Sequence, residues 1–250
     1  MTKRNKKKVV EERWMKKEVE VREEDKFLEK RKIPPLEAKS ETQKDYLASL
    51  NRNQITVARG HSGCGKSYCA SYEAARLLLA KEVSSVIVTR PYAHLGKDYG
   101  ATPGSDFEKL EPFCRPMLDV LKRYLGAGHY NYCIDKKIIE VVPLEKIQGR
   151  SFDEPCCIIA DEIQNATKPQ VMSLVTRLGW DVSFLAICGD QRQSINRENN
   201  ALDWIAEFFQ RHNISGVDIV NFSEDDCVRS GIVKEILVAF EKEGGFYNTL

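Results

Sequence analysis

Residues Gly60-His61-Ser62-Gly63-Cys64-Gly65-Lys66-Ser67 decide how this chain is read. They fit the spacing G-x-x-x-x-G-K-[ST], in which glycines let backbone N–H groups turn inward around a phosphate. The run 54–58 ahead of the match reads as a short buried strand. The run 67–81 behind it reads as a helix with small and leucine residues facing inward. The mechanism needs that context, because a helix N-terminus adds donors and partial positive charge. Gly60, His61, Ser62, Gly63, Cys64 and Gly65 form the candidate cradle. Lys66 is the candidate cation for the β- and γ-phosphates of ATP, and Ser67 the candidate hydroxyl ligand for Mg²⁺. The bland alternative is a glycine-rich turn that binds nothing.

A second motif supplies negative charge. Ile158-Ile159-Ala160-Asp161-Glu162 is an apolar strand ending in two carboxylates. In open α/β sheets ligands sit at the carboxyl ends of the strands. Asp161 is placed to hold Mg²⁺, and Glu162 to polarise an attacking water. A third polar run, Gly189-Asp190-Gln191-Arg192-Gln193, follows the apolar stretch 184–188. Gln193 is the candidate sensor of the γ-phosphate there, and an ordinary polar loop is the alternative.

Working outward, strands alternate with helices. Strands are expected at 86–89, 156–160, 184–188 and 218–222, and helices at 108–125 (despite Pro112 and Pro116), 168–178, 201–212 and 232–243. Residues 131–142 suggest a hairpin turning at Asp135-Lys136. Strands joined by helical crossovers imply a mostly parallel sheet covered on both faces. Because a Glu directly follows Asp161, an extra strand is expected between the strand before Gly60 and the strand before Asp161. That is the RecA-like and helicase arrangement, unlike GTPases and simple kinases. An NKxD-type guanine signal is absent from the sequence.

The chain has 250 residues, 42% hydrophobic and 30% charged, and a net charge of +1. The charge is unevenly spread. Residues 1–32 hold 13 Lys/Arg and 8 Asp/Glu, a net of +5, and the rest nets −4. Val10, Trp14, Val21 and Leu28 form one narrow helical stripe within this arm. Ile33-Pro34-Pro35 ends it. The organisation read is a charged helical arm and linker over 1–40, and one α/β domain over 41–250. The arm touches nucleic acid or another acidic surface, or it is a solvated tail. No apolar run approaches the roughly 18 residues of a membrane span, and no apolar stretch follows the basic start as in a secretory signal. The expectation is therefore a cytoplasmic protein. The eight cysteines show no CxxC pair and read as reduced thiols.

Taken together, the ordered motifs resemble the PhoH family of ATPases. The resemblance spans about residues 41–243. It rests on the loop at 60–67, Thr89-Arg90-Pro91, Pro103-Gly104-Ser105-Asp106 and Glu108-Lys109-Leu110-Glu111-Pro112. It continues through Gln148-Gly149-Arg150-Ser151-Phe152, Asp161-Glu162-Ile163-Gln164-Asn165-Ala166-Thr167 and Thr176-Arg177-Leu178-Gly179. Gly189-Asp190 with Gln193, and Asp226-Cys227-Val228-Arg229, complete it. The family resembles the first motor domain of superfamily 1 helicases. The resemblance implies ATP hydrolysis with Mg²⁺, and RNA or single-stranded nucleic acid as partner. The chain departs from the family at His61, Ser62 and Cys64, where Pro, Ala and Thr are frequent, and at Ser230, where His is frequent. Its shortness looks more like a phage-encoded form.

Physics and resemblance combine in three further expectations. Gln43 sits where superfamily 1 helicases place a glutamine that reads adenine, and a surface glutamine is the alternative. Phosphoryl transfer needs a cation on the γ-phosphate, and a body of about 200 residues has no room for a second motor domain. Arg90, Arg150, Arg177 and Arg229 are the candidate fingers, with Arg177 and Arg229 favoured. A finger from a neighbour implies a ring, most simply a homohexamer. In the long loop 92–107, Tyr92, Tyr99 and Phe107 are placed to stack on bases and Lys97 to meet phosphates. Packing on a subunit neighbour is the alternative for that loop. The rival to a nucleic-acid motor is an ATP-gated assembly protein without helicase activity.

Overall fold

In the computed structural model, residues 33–92, 106–194, 200–228 and 231–243 are described. The basic arm, Lys97, Tyr99 and Arg229 lie outside them.

Six strands form one sheet in the order β3-β2-β4-β5-β1-β6, every neighbouring pair parallel. They are β1 Ile55–Gly60, β2 Ser85–Arg90, β3 Ile139–Pro143, β4 Cys156–Ala160, β5 Phe184–Gly189 and β6 Val217–Phe222. β5 lies between β1 and β4, so the expected extra strand is present. Every residue of β4 and of β5 is buried. Those continuous apolar runs are what a central parallel strand with both faces covered requires.

The helices are α1 Glu41–Arg52, α2 Lys66–Leu79, α3 Asp106–Leu125, α4 Ala127–Asp135, α5 Lys168–Val175, α6 Ala201–His212 and α7 Gly231–Lys242. Side chains alternate across the sheet. Val86, Val88 and Ile159 join the core under α1, α2 and α3 with Tyr46, Leu78 and Leu121. Ile87, Ile158 and Ile187 join the opposite core under α5 and α6 with Val171 and Ile205. None of the described helices is long and apolar enough to cross a membrane.

Two elements differ from expectation. The hairpin at 131–142 is instead the end of α4, a turn at Lys136 and Lys137 (φ 55°), and β3, which pairs parallel with β2. A parallel pair needs a long crossover, and α3 with α4 provides it. Tyr130, Tyr132 and Ile134 pack partly against the core, and Cys133 is buried. Helix α1 was not expected. Ser40 caps it, accepting from the Gln43 N–H, and its inward positions are Gln43, Tyr46, Ser49 and Leu50. α3 runs through both prolines. All eight cysteines are free thiols, and only Cys227 is partly exposed.

Candidate nucleotide-binding site

Parallel pairing puts the ends of β1, β4 and β5 on one edge of the sheet, and the site is built there. β1 ends at Gly60 with φ 132°, and a Cβ at that position would lie 2.0 Å from the Phe222 carbonyl oxygen. Only glycine fits beside β6. Gly63 and Gly65 have φ of 83° and 84°. This left-handed backbone turns the loop round before α2 begins at Lys66, with Gly65 as its N-cap. The Lys66 ammonium is buried and donates to the carbonyls of Gly60 (2.8 Å) and His61 (2.6 Å). Ser67 Oγ donates to Asp161 Oδ1 at 2.6 Å. The predicted phosphate loop, lysine, hydroxyl and first carboxylate thus converge.

The loop is clasped from three sides. Gln43 is buried, not a surface residue. Its Nε2 donates to the Cys64 carbonyl at 2.9 Å and its Oε1 accepts from the Lys39 N–H at 2.8 Å. From β5, Asp190 Oδ2 accepts from the Ser62 N–H at 2.8 Å. From beyond β6, the Val228 N–H donates to the Gly63 carbonyl at 3.2 Å, and Cys64 Sγ donates to the Ser223 carbonyl at 3.4 Å. Burial pushes the Cys64 thiol up to about 11, although the Lys66 ammonium draws it down. His61 Nε2 lies 3.6 Å from Glu224, which also meets Arg192 at 3.2 Å.

Glu162 stands beside this cluster in a left-handed conformation, φ 58° and ψ 34°. For a non-glycine residue this costs about 1–3 kcal/mol and is concentrated at functional sites. Burial raises its carboxyl above the usual range, and the Asp161 carboxylate adds to this. Arg90 and the hydrogen bond from Gln164 pull the other way. Arg90 Nη2 is 4.0 Å from Glu162 Oε2, while its Nη1 donates to the Phe113 carbonyl at 3.0 Å.

The remaining candidates are more scattered. Gln193 is half-buried in the short turn after Asp190, its N–H donating to the Asp190 carbonyl at 3.0 Å. Arg177 is exposed at the opposite edge of the sheet. Its carbonyl accepts from the Phe152 N–H ahead of β4, and nearby Gly179 accepts from Gln54 ahead of β1. A five-residue strand separates those edges by roughly 17 Å, so Arg177 does not enter its own phosphate site. Arg150 is committed to Glu140 by two hydrogen bonds of 3.1 and 3.0 Å. Tyr92 and Phe107 pack partly against the core. Sequence reasoning gave no role to Asp190 and Gln164, although both stood in quoted motifs. Their partners lie far along the chain.

A strand, a glycine loop around a buried lysine, a helix, and a neighbouring-strand aspartate bonded to the loop's serine define a P-loop nucleoside-triphosphate-binding protein. Residues 35–241 match the family described as PhoH-like protein, and the chain belongs to that family. Protein PhoH of Escherichia coli (strain K12) is 36% identical over 214 residues, covering 84% of this chain and 59% of that protein. A PhoH-like protein of Bacillus subtilis (strain 168) is 32% identical over 209 residues, covering 83% and 65%. The chain therefore spans about three fifths of the length of these relatives. A looser likeness, with TM-score 0.46 and 16% identity, links 81% of this chain to 68% of the UvsW helicase from Bacteriophage T4.

Proposed function

We propose that the chain is a Mg²⁺-dependent ATPase whose turnover is coupled to binding of RNA or single-stranded nucleic acid. The Ser67–Asp161 hydrogen bond of 2.6 Å carries this reading. It brings a hydroxyl and a carboxylate, both hard-cation ligands, to the mouth of a loop whose lysine is held by two backbone carbonyls and lies over the Phe222 ring. The donor set fits the group it would receive. N–H groups of the glycine loop other than that of Ser62, which Asp190 holds, would face the phosphates, Lys66 would leave its carbonyls for the phosphate oxygens, and Ser67 and Asp161 would hold the metal. Bound Mg²⁺ would supply positive charge against the phosphates. Glu162 accepts the proton of the attacking water, and its raised affinity for protons suits a base. Gln193 reports on the γ-phosphate. Gln43 retains one donor and one acceptor site for adenine beyond its two protein bonds.

Among the described candidate arginines, Arg90 is the one beside Glu162 and acts within its own site. Arg177 serves only a neighbouring subunit, as a ring such as a homohexamer would allow. A second reading, an ATP-gated assembly protein, draws support from exposed apolar side chains. Trp180 is 95% exposed, Ile232 66% and Ile236 59%, surfaces that a second copy would cover.

ATP hydrolysis measured with and without single-stranded RNA and DNA, alongside the mass in solution, separates the readings. Stimulation by nucleic acid supports the motor. Hydrolysis indifferent to nucleic acid, with a mass that changes on ATP binding, supports assembly. Normal turnover in Lys66→Ala refutes both.

A further inference from the structure

Gln164 is 1% exposed and ties Glu162 to Asp190, which lies 26 residues beyond Gln164 in the chain. Its Nε2 donates to Glu162 Oε2 at 2.8 Å, and its Oε1 accepts from the Asp190 N–H at 3.2 Å. The amide orientation follows from chemistry. An N–H must face an oxygen, and a carboxylate must face a donor. The Gln164 carbonyl accepts from Ser194 Oγ at 3.0 Å, anchoring the residue to the far end of the same turn. The surroundings are shaped to it. A Cβ on Gly189 would lie 2.4 Å from Gln164 Oε1 and 2.8 Å from Leu202 Cδ2, so glycine at the end of β5 leaves room for both this carboxamide and the core beside it. Asp190, in turn, holds the Ser62 N–H of the phosphate loop at 2.8 Å.

We propose that Gln164 is a positioning residue for hydrolysis. Through it, the turn that follows β5 and grips the phosphate loop also sets where the Glu162 carboxylate stands. This rests on the reading of Glu162 as the group that activates water. Glutamine suits the post because it offers an acceptor to an N–H and a donor to a carboxylate at once. Methionine of similar length offers neither. Glutamate keeps the acceptor but sets a second negative charge against Glu162. The strained backbone of Glu162 makes the strut necessary, since a left-handed residue holds its place only when its surroundings over-determine it.

The test compares wild type, Gln164→Met, Gln164→Glu, Gly189→Ala, Glu162→Gln and the double variant Gln164→Met/Glu162→Gln. Steady-state ATP hydrolysis is measured together with binding of a fluorescent ATP analogue. Gln164→Met is expected to lower kcat about 100-fold, the loss typical of a misplaced catalytic group. KM and analogue affinity are expected to stay within about threefold. Gln164→Glu and Gly189→Ala should show the same split, the second without altering Gln164. In the double variant the Gln164 change should cost nothing more, because the carboxylate it positions is gone. Where Gln164→Met does not fold, Gln164→Glu, of the same shape, carries the comparison. The proposal is overturned if kcat stays within about threefold of wild type, if affinity falls in step with kcat, or if the two losses multiply in the double variant. If wild type hydrolyses no ATP, or Glu162→Gln runs at the wild-type rate, the reading of Glu162 fails first and the positioning role falls with it.

Discussion

Alanine at position 60 is the most direct challenge to the way the loop is seated. The new Cβ would lie 2.0 Å from the carbonyl oxygen of Phe222, 2.8 Å from its carbonyl carbon and 3.0 Å from its Cα. All three are backbone atoms and none can swing aside. Gly60 and Phe222 are paired in the β1–β6 ladder, so the strands must part by roughly 1 Å at that rung to restore contact distance. The backbone at φ 132° must also move to a region open to alanine. Strain of about 1–3 kcal/mol and overpacking of about 1–3 kcal/mol suggest a loss of about 3 kcal/mol. In a protein of this size that corresponds to a fall in Tm of about 6–12 °C. The same rung holds the carbonyl that accepts from Lys66, so nucleotide affinity falls with stability. Thermal unfolding and nucleotide titration measure the two effects. Gly128→Ala is the control. Nothing lies within 4 Å of its Cβ, and inside α4 the change should stabilise by up to about 1 kcal/mol. Gly60→Ala melting within about 2 °C of wild type, with unchanged affinity, would refute the reasoning.

Glu162→Gln should retain ATP binding while losing about 10²- to 10⁴-fold in turnover, and single-turnover assays check it; loss of binding would remove Glu162 from the base role. The Asp226 carboxyl is pushed up by burial, but hydrogen bonds from Ser223, Ser40 and Thr42 outweigh this and leave it below the usual range. Its stabilising contribution is therefore present above the unfolded value of about 3.9 and is lost as pH falls through the lower folded one. Asp226→Asn should destabilise by about 1–3 kcal/mol near neutral pH. The difference from wild type should shrink in acid, and melts showing it grow there would contradict the sign. Removing residues 1–32 should leave basal hydrolysis intact and weaken binding to single-stranded RNA or DNA most at low salt. A salt series with unchanged affinity would make the arm a solvated tail.

What could be read in advance followed from how local each feature is. The phosphate loop was legible because eight consecutive residues carry both the backbone freedom and the charge that a phosphate needs. Asp161 was legible because an apolar strand ending in acid is a contiguous signal, and even the intervening β5 followed from the Glu behind it. Helix α1 was not legible. A search for apolar periodicity passes over it, because its inward stripe alternates Gln43 and Ser49 with Tyr46 and Leu50. The polar members are there for contacts made elsewhere: Gln43 for the Cys64 carbonyl and Ser49 for the Thr56 hydroxyl at 2.9 Å. α4 escapes a local reading because the crossover it completes is required only by the parallel pairing of β2 with β3.

Gln164 is the same lesson at the site itself. In sequence it is a polar residue two places after Glu162, with nothing to distinguish it from Asn165. Its meaning comes from Gly189 and Asp190, which only the β4–β5 pairing brings alongside. The glycine could equally have been read as a turn residue. The absent Cβ instead makes room for another residue's carboxamide, and that requirement is invisible until both ends of the contact are in place. The residues read as phosphate and metal ligands are thus written in short motifs. The residues that hold those groups in register are written across the sheet, and only the order of its strands joins them.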